Sequence, residues 1–295
     1  MRKHANRTFL FAPGNHPRRV EKALQLPADV IILDLEDAVA ESEKVATRQT
    51  VREALRKPRA GACYVRVNAY ETAFCYEDLC STICPELDGF VLPKVEDAQM
   101  LQTVDWLIAN LERGHGLEEG SIGLMPIIET AKGLANLREI AGAGTRVRRL
   151  SFGAGDFTRD LSLDWSLGEE ELLTYRAEFV LASRLGGLEP PVDTVFIHIR
   201  EHEAFARSCR MARQLGFQGK LCIHPDQVAP VNETFTPTAE EVAWSQRVID
   251  AFVEAESAGD ASIQVDGYFV DYPIVEKARR VVATANLINE TARAA

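Results

Sequence analysis

RLSFGAGDFTRDL, residues 149–161, decides the fold. Val147 just before it, with Leu150 and Phe152, gives the apolar residues of a buried strand. Gly153 and Gly155 then let the backbone leave that strand in a tight turn, which sets Asp156 at the exit. Folds built on parallel strands hold their ligands outside the carboxyl ends of those strands. The significance of Asp156 therefore depends on whether other strands end the same way.

Eight apolar or β-branched runs can be read along the chain, at residues 8–12, 30–34, 63–67, 89–92, 122–128, 147–152, 194–199 and 220–223. Most are followed by a turn and a segment of helical period. In ELLTYRAEFVLASRLGG the pattern predicts that Leu173, Ala177, Val180, Leu181 and Leu185 share one helical face, with Gly186 and Gly187 as the stop. Strand and helix alternating eight times predict an α/β fold, a (β/α)8 TIM barrel over residues 1–235, with a doubly wound sheet as the alternative. Residues 236–295 exceed what one closing helix needs. Thr238 and Glu241 form a capping box opening a helix to about Ser257, SIQVDGYFVDYP reads as a hairpin, and Pro273 lies near the start of a last helix. This C-terminal helical and hairpin extension is expected to act as a lid or an oligomer arm.

Composition narrows the class. Of 295 residues, 46% are hydrophobic and 26% charged, and the formal net charge of 33 − 44 = −11 disfavours coating of nucleic acid or anionic membrane. No run approaches the ~20 apolar residues of a membrane span, and the first residues lack the apolar segment of a signal peptide, so a cytoplasmic protein is expected. Cys63, Cys75, Cys80, Cys84, Cys209 and Cys222 form no CxxC pair and read as reduced thiols.

The strand exits carry the chemistry. Strand two ends in Asp34, Leu35, Glu36 and Asp37, strand three in Arg66, strand four in Pro93, Lys94, Val95 and Glu96, strand five in Glu129, strand six in Asp156 and strand eight in His224. Glu129 and Asp156 leave consecutive strands, and two carboxylates so placed repel unless a cation joins them. Oxygen ligands without Cys or paired His favour Mg²⁺, with water and substrate completing the shell. A metal-free acid/base pair, a glycosidase pair, or a helix cap for Asp156 with a salt bridge for Glu129 are the alternatives. Arg66 needs a carboxylate partner, either a substrate's or that of Glu36 or Asp37. The segment PGNHPRR, which runs from Pro13 and Gly14 to Arg18 and Arg19 and opens the first helix, offers the amides of its non-proline residues and two guanidinium groups to a phosphate. His224 fits a structural cap better than a ligand contact.

Together these segments resemble the citrate lyase β-subunit-like branch of the HpcH/HpaI aldolase superfamily. The matching stretches are RTFLFAPGNHPRRVEKAL, ADVIILDLEDAVAESEK, YVRVNA, GFVLPKVE, LMPIIETAKGL, LSFGAGDFTRDL, GFQGKLCIHPDQVAPVNETF and VDYPIVEKARRV, in family order along nearly the whole chain. The resemblance implies a Mg²⁺-dependent lyase acting beside a CoA thioester, with CoA entering as part of the substrate. It implies that Glu129 and Asp156 hold the metal, and that Arg66, Glu129, Gly155 and Asp156 bind substrate. Arg66 would also steady an enolate, Glu36 would support this network by hydrogen bonding, and Pro13, Gly14, Arg18 and Arg19 would contact CoA. Asp271 matches an acid/base that family lyases draw from an adjacent subunit, and a homotrimer or trimer-based oligomer is implied.

Citramalyl-CoA, giving acetyl-CoA and pyruvate, is the leading substrate. Malyl-CoA cleavage, malyl-CoA hydrolysis, malate synthase-type chemistry and a citryl-thioester lyase β subunit are the alternatives. A scaffold subunit would need none of Arg66, Glu129, Asp156 or Asp271. The chain departs from many relatives at Arg200 and Glu201, and in reading GNH after strand one.

Overall fold

The computed structural model describes residues 5–294, with side chains through Thr291. Strands β1 (Thr8–Pro13), β2 (Val30–Asp34), β3 (Ala62–Arg66), β4 (Gly89–Leu92), β5 (Gly123–Ile128), β6 (Ser151–Phe152), β7 (Val192–Asp193) and β8 (Gly219–Cys222) close in sequence order into a parallel barrel, β8 pairing back to β1. Helices follow the strands in turn: Pro17–Leu24, Lys44–Leu55, Cys75–Thr82, Ala98–Gly114, Leu137–Ala141, Leu173–Leu185, His202–Leu215 and Val228–Phe235. The barrel expectation is met, and the doubly wound sheet is set aside by closure.

Both faces of each strand are covered, which is why the strands read as near-continuous apolar runs. Phe9, Val30, Ile32, Ala62, Tyr64, Val91, Met125, Ile127, Val192 and Leu221 pack together as one buried cluster. The residues between them, including Leu10, Ile31, Leu33, Cys63, Val65, Phe90 and Ile128, pack in a second cluster with helix residues such as Val51, Leu101 and Phe205. All six cysteines are free thiols, five of them buried. No described helix is long and apolar enough to cross a membrane.

Two sequence expectations fail. Strand seven is Val192–Asp193, not residues 194–199: Val192 pairs with Ser151 and Gly219, whereas Ile197 and Ile199 are exposed. The helix Leu173–Leu185 buries Arg176, Phe179, Ala182 and Ser183, so Leu173, Leu181 and Leu185 of the anticipated face point to solvent. A buried ion network underlies both differences. Arg176, fully buried, bonds Asp193 Oδ1 at 2.8 Å and Glu169 Oε2 at 2.8 Å, and Lys220 reaches the same Asp193. A core built partly from paired charges does not look apolar in sequence.

A compact unit covers Asn6–Phe235, and another begins at Thr236. In the second, Thr238 and Glu241 form a reciprocal capping box opening the helix Ala239–Ala258. Strands β9 (Ile263–Val265) and β10 (Tyr268–Val270) form a hairpin, and the helix Tyr272–Ala294 follows it. Val248, Phe252, Val270, Val275 and Ala278 make this unit's own core.

Candidate active site

The alternation of the strands builds the site. Along β2, Val30 and Ile32 belong to the inner cluster, and the next residue of that period is Asp34. The same count takes Ala62 and Tyr64 to Arg66 on β3, and Met125 and Ile127 to Glu129 just past β5. Register then pairs residues across strands: Asp34 lies opposite Arg66. Arg66 Nε donates to Asp34 Oδ1 at 2.7 Å and Nη2 to Oδ2 at 2.6 Å, a bidentate fork, while Nη1 contacts Glu36 Oε2 at 2.9 Å and Asp37 Oδ2 at 3.9 Å. The guanidinium also lies 4.7 Å over the Phe11 ring. Of the two expected partners, Glu36 is in direct contact and Asp37 stands farther off, while Asp34, whose role sequence reasoning missed, supplies the fork. Burial opposes the charge on Arg66, but Asp34, Glu36 and Glu129 hold its pKa above the ordinary value.

Lys94 is a second residue that sequence reasoning leaves without a role. Its amide donates to Glu129 Oε1 at 2.9 Å, and its ammonium bonds Glu36 and lies 2.9 Å from Asp156 Oδ2. The clue available in sequence was a lysine directly after an apolar strand, in LPKVE. Burial first, then the neighbouring Glu36 and Asp156 charges, push the Glu129 carboxyl up to about 8 despite Arg66 and Lys94. Burial likewise raises Glu36.

Gly153 follows β6 beside Glu129, and its amide bonds Ile128 O at 3.0 Å. A Cβ there would press on Glu129 Oε2, 2.7 Å from Glu129 Cβ and from Ile127 Cγ2, so only glycine leaves this carboxylate its place. Asp156 lies in the first turn of the helix Ala154–Asp160, with Oδ1 3.1 Å from the largely exposed Arg159. Asp34, Arg66, Glu129, Gly155, Asp156 and Pro13 all line one cavity of about 430 Å³ at the carboxyl ends of the strands, within the range of small-ligand sites. Phe11, Ile127, Val195, Leu221 and Ile223 supply its apolar wall.

The donor set fits a hard divalent cation. Among the described residues no three His, Cys, Asp or Glu gather as a ligand group. Two carboxylates suffice for Mg²⁺, which keeps several waters and takes further oxygens from substrate. Buried Asp156 Oδ2 and Glu36 Oε2 make ionic contacts but no hydrogen bond, so acceptor capacity is left over.

The remaining expectations divide. The Gly14 amide is already used on Asp34 O at 2.9 Å, so it is not the free phosphate donor the sequence suggested; a Cβ on Gly14 would come within 2.6 Å of that oxygen. Arg18 and Arg19 are exposed on the helix Pro17–Leu24. His224 Nδ1 accepts from the Asp226 amide at 3.3 Å, a cap. Asp271 belongs to the C-terminal unit and precedes its last helix, Oδ1 accepting from the Ile274 amide at 3.4 Å.

A parallel eight-stranded barrel with carboxylates and a paired guanidinium converging at its carboxyl mouth defines the class. The chain belongs to the HpcH/HpaI aldolase/citrate lyase family, whose model matches residues 7–225. The citrate lyase subunit beta of Leuconostoc mesenteroides subsp. cremoris is 38% identical over 282 residues, covering 95% of this chain and 93% of that protein. An L-malyl-CoA/beta-methylmalyl-CoA lyase of Cereibacter sphaeroides (strain ATCC 17025 / ATH 2.4.3) is 33% identical over 306 residues, covering 96% of each. The crystal structure of CitE from Mycobacterium tuberculosis in complex with magnesium, acetoacetate and coenzyme A superposes with a TM-score of 0.75 at 28% identity, covering 95% of this chain and 98% of that one.

Proposed function

We propose that the protein is a Mg²⁺-dependent carbon–carbon lyase that cleaves a 3-hydroxy-3-carboxyacyl-CoA to acetyl-CoA and a 2-keto acid. The observation that carries this reading is the convergence of the Glu129 and Asp156 carboxylates with the Arg66 guanidinium in one cavity. When bound by Glu129 and Asp156, Mg²⁺ supplies Lewis acidity toward the substrate's carboxylate and hydroxyl oxygens. Arg66, fixed by its fork to Asp34, directs positive charge at the thioester oxygen, where negative charge develops as the bond breaks. The hydroxyl proton leaves to a base, the hydroxyl carbon becomes the keto carbon, and the electrons of the broken bond pass to the thioester enolate. Protonation of that enolate gives acetyl-CoA.

Citramalyl-CoA stands ahead of malyl-CoA in this reading because its extra methyl group suits the apolar wall of Phe11, Ile127, Val195, Leu221 and Ile223. The homotrimer, the role of residues 236–295 as lid or arm, the supply of Asp271 from a neighbouring subunit and the CoA contacts of Arg18 and Arg19 rest on the family resemblance. Mass spectrometry of products from citramalyl-CoA, malyl-CoA and citryl-CoA tests the reading. Acetyl-CoA with pyruvate as the fastest pair supports it. Free CoA as the product would instead mark a hydrolase or synthase, and no turnover of any of the three would refute the assignment to these substrates.

A further inference from the structure

We propose that the Lys94 ammonium is a resident counter-ion of the metal site, which holds Asp156 while the divalent cation is absent and is displaced from it when the cation binds. The inference rests on the reading of Glu129 and Asp156 as the Mg²⁺ pair, and adds to it a competitor built into the chain.

Lys94 follows β4 with φ of +53°, a left-handed backbone uncommon for a residue with a Cβ. From that position one residue reaches four acids. Its amide orients Glu129 through Oε1 at 2.9 Å, while its ammonium bonds Glu36 and reaches Asp156 Oδ2 at 2.9 Å and Asp37 Oδ1 at 3.7 Å. The ammonium hydrogen-bonds Glu36 and sits at ion-pair distance, 2.9 Å, from Asp156 Oδ2. The Lys94 side chain is 27% exposed, against 6% for Glu36, so it is the less confined partner of that pair. It can release Asp156 by turning about its bond to Glu36, while its amide stays on Glu129. A divalent cation on Asp156 Oδ2 would repel an ammonium at the same oxygen, so the two states exclude each other. The backbone strain at Lys94 persists because both ends of the residue are held by the cluster.

The test is direct Mn²⁺ binding, by calorimetry or electron paramagnetic resonance, to EDTA-stripped wild type and Lys94→Met without substrate. Asp156→Ala serves as the control that loses the site. Removal of one competing charge is expected to tighten Mn²⁺ binding about tenfold. It should also lower the melting temperature of the metal-free protein more than that of the Mn²⁺-loaded protein. Equal or weaker Mn²⁺ binding by a folded Lys94→Met protein overturns the counter-ion role and leaves the metal pair standing. If wild type binds no Mn²⁺, the metal reading fails and this inference fails with it. Should Lys94→Met not fold, Lys94→Gly removes the cation and relieves the left-handed backbone, with the same two outcomes.

Discussion

Replacing Glu129 with glutamine should stabilise the metal-free protein at alkaline pH and not at acid pH. The cause is a buried cluster in which Asp34, Glu36, Glu129 and Asp156 meet two well-placed cations, Arg66 and Lys94. The contact from Arg159 is solvent-exposed and contributes little. Burial and the neighbouring carboxylates raise Glu129 from 4.5 to about 8, so the folded protein keeps a proton there that the unfolded chain gives up near 4.5. The raised group contributes its full stability below 4.5 and loses it as pH climbs through about 8. At about 1.36 kcal/mol per pH unit, a span of 8 − 4.5 corresponds to about 5 kcal/mol. Glutamine resembles the protonated acid, keeps an oxygen for the Lys94 amide and does not titrate. Urea unfolding with EDTA, followed by circular dichroism from about pH 4 to about pH 9, should show the Glu129→Gln variant gaining on wild type by up to about 5 kcal/mol across that window. Added Mg²⁺ should narrow the gap, because the cation stabilises only wild type. A difference that does not change with pH, or that favours wild type as pH rises, would refute the reasoning.

Other substitutions probe separate parts of the structure. Asp193→Asn leaves Arg176 and Lys220 buried without their carboxylate and should cost about 3–5 kcal/mol in urea unfolding. Gly153→Ala forces a methyl group against Glu129 and should weaken Mn²⁺ binding by about 10-fold or more, measured calorimetrically, with the fold retained. Arg66→Lys keeps a charge but loses the fork to Asp34, and should lower kcat by about 10²-fold with citramalyl-CoA.

The barrel was legible because both strand faces are buried, which writes each strand as an apolar run ending in a polar residue. The placement of Arg66 and Glu129 at the barrel mouth was legible for the same reason, and that of Asp156 from the glycines after β6. What the sequence hid is charge inside the core. Asp193 ends β7 in a buried ion network, so the strand was placed too late in the chain. Arg176 occupies the core side of its helix, so the helix face was inverted. The choice of Asp34 over Asp37 as the main partner of Arg66 follows from strand register, which no single strand reveals. The grip of Lys94 on four acids depends on one left-handed residue, a backbone property without a residue-type signal when the residue is not glycine.

The most direct measurement is acetyl-CoA formation from citramalyl-CoA by wild type and Asp156→Ala, each with Mg²⁺ and with EDTA, alongside thermal unfolding of both proteins. Product is expected from wild type with Mg²⁺ only, and none from a folded Asp156→Ala protein under either condition. Full turnover by Asp156→Ala, or by wild type in EDTA, would contradict that expectation.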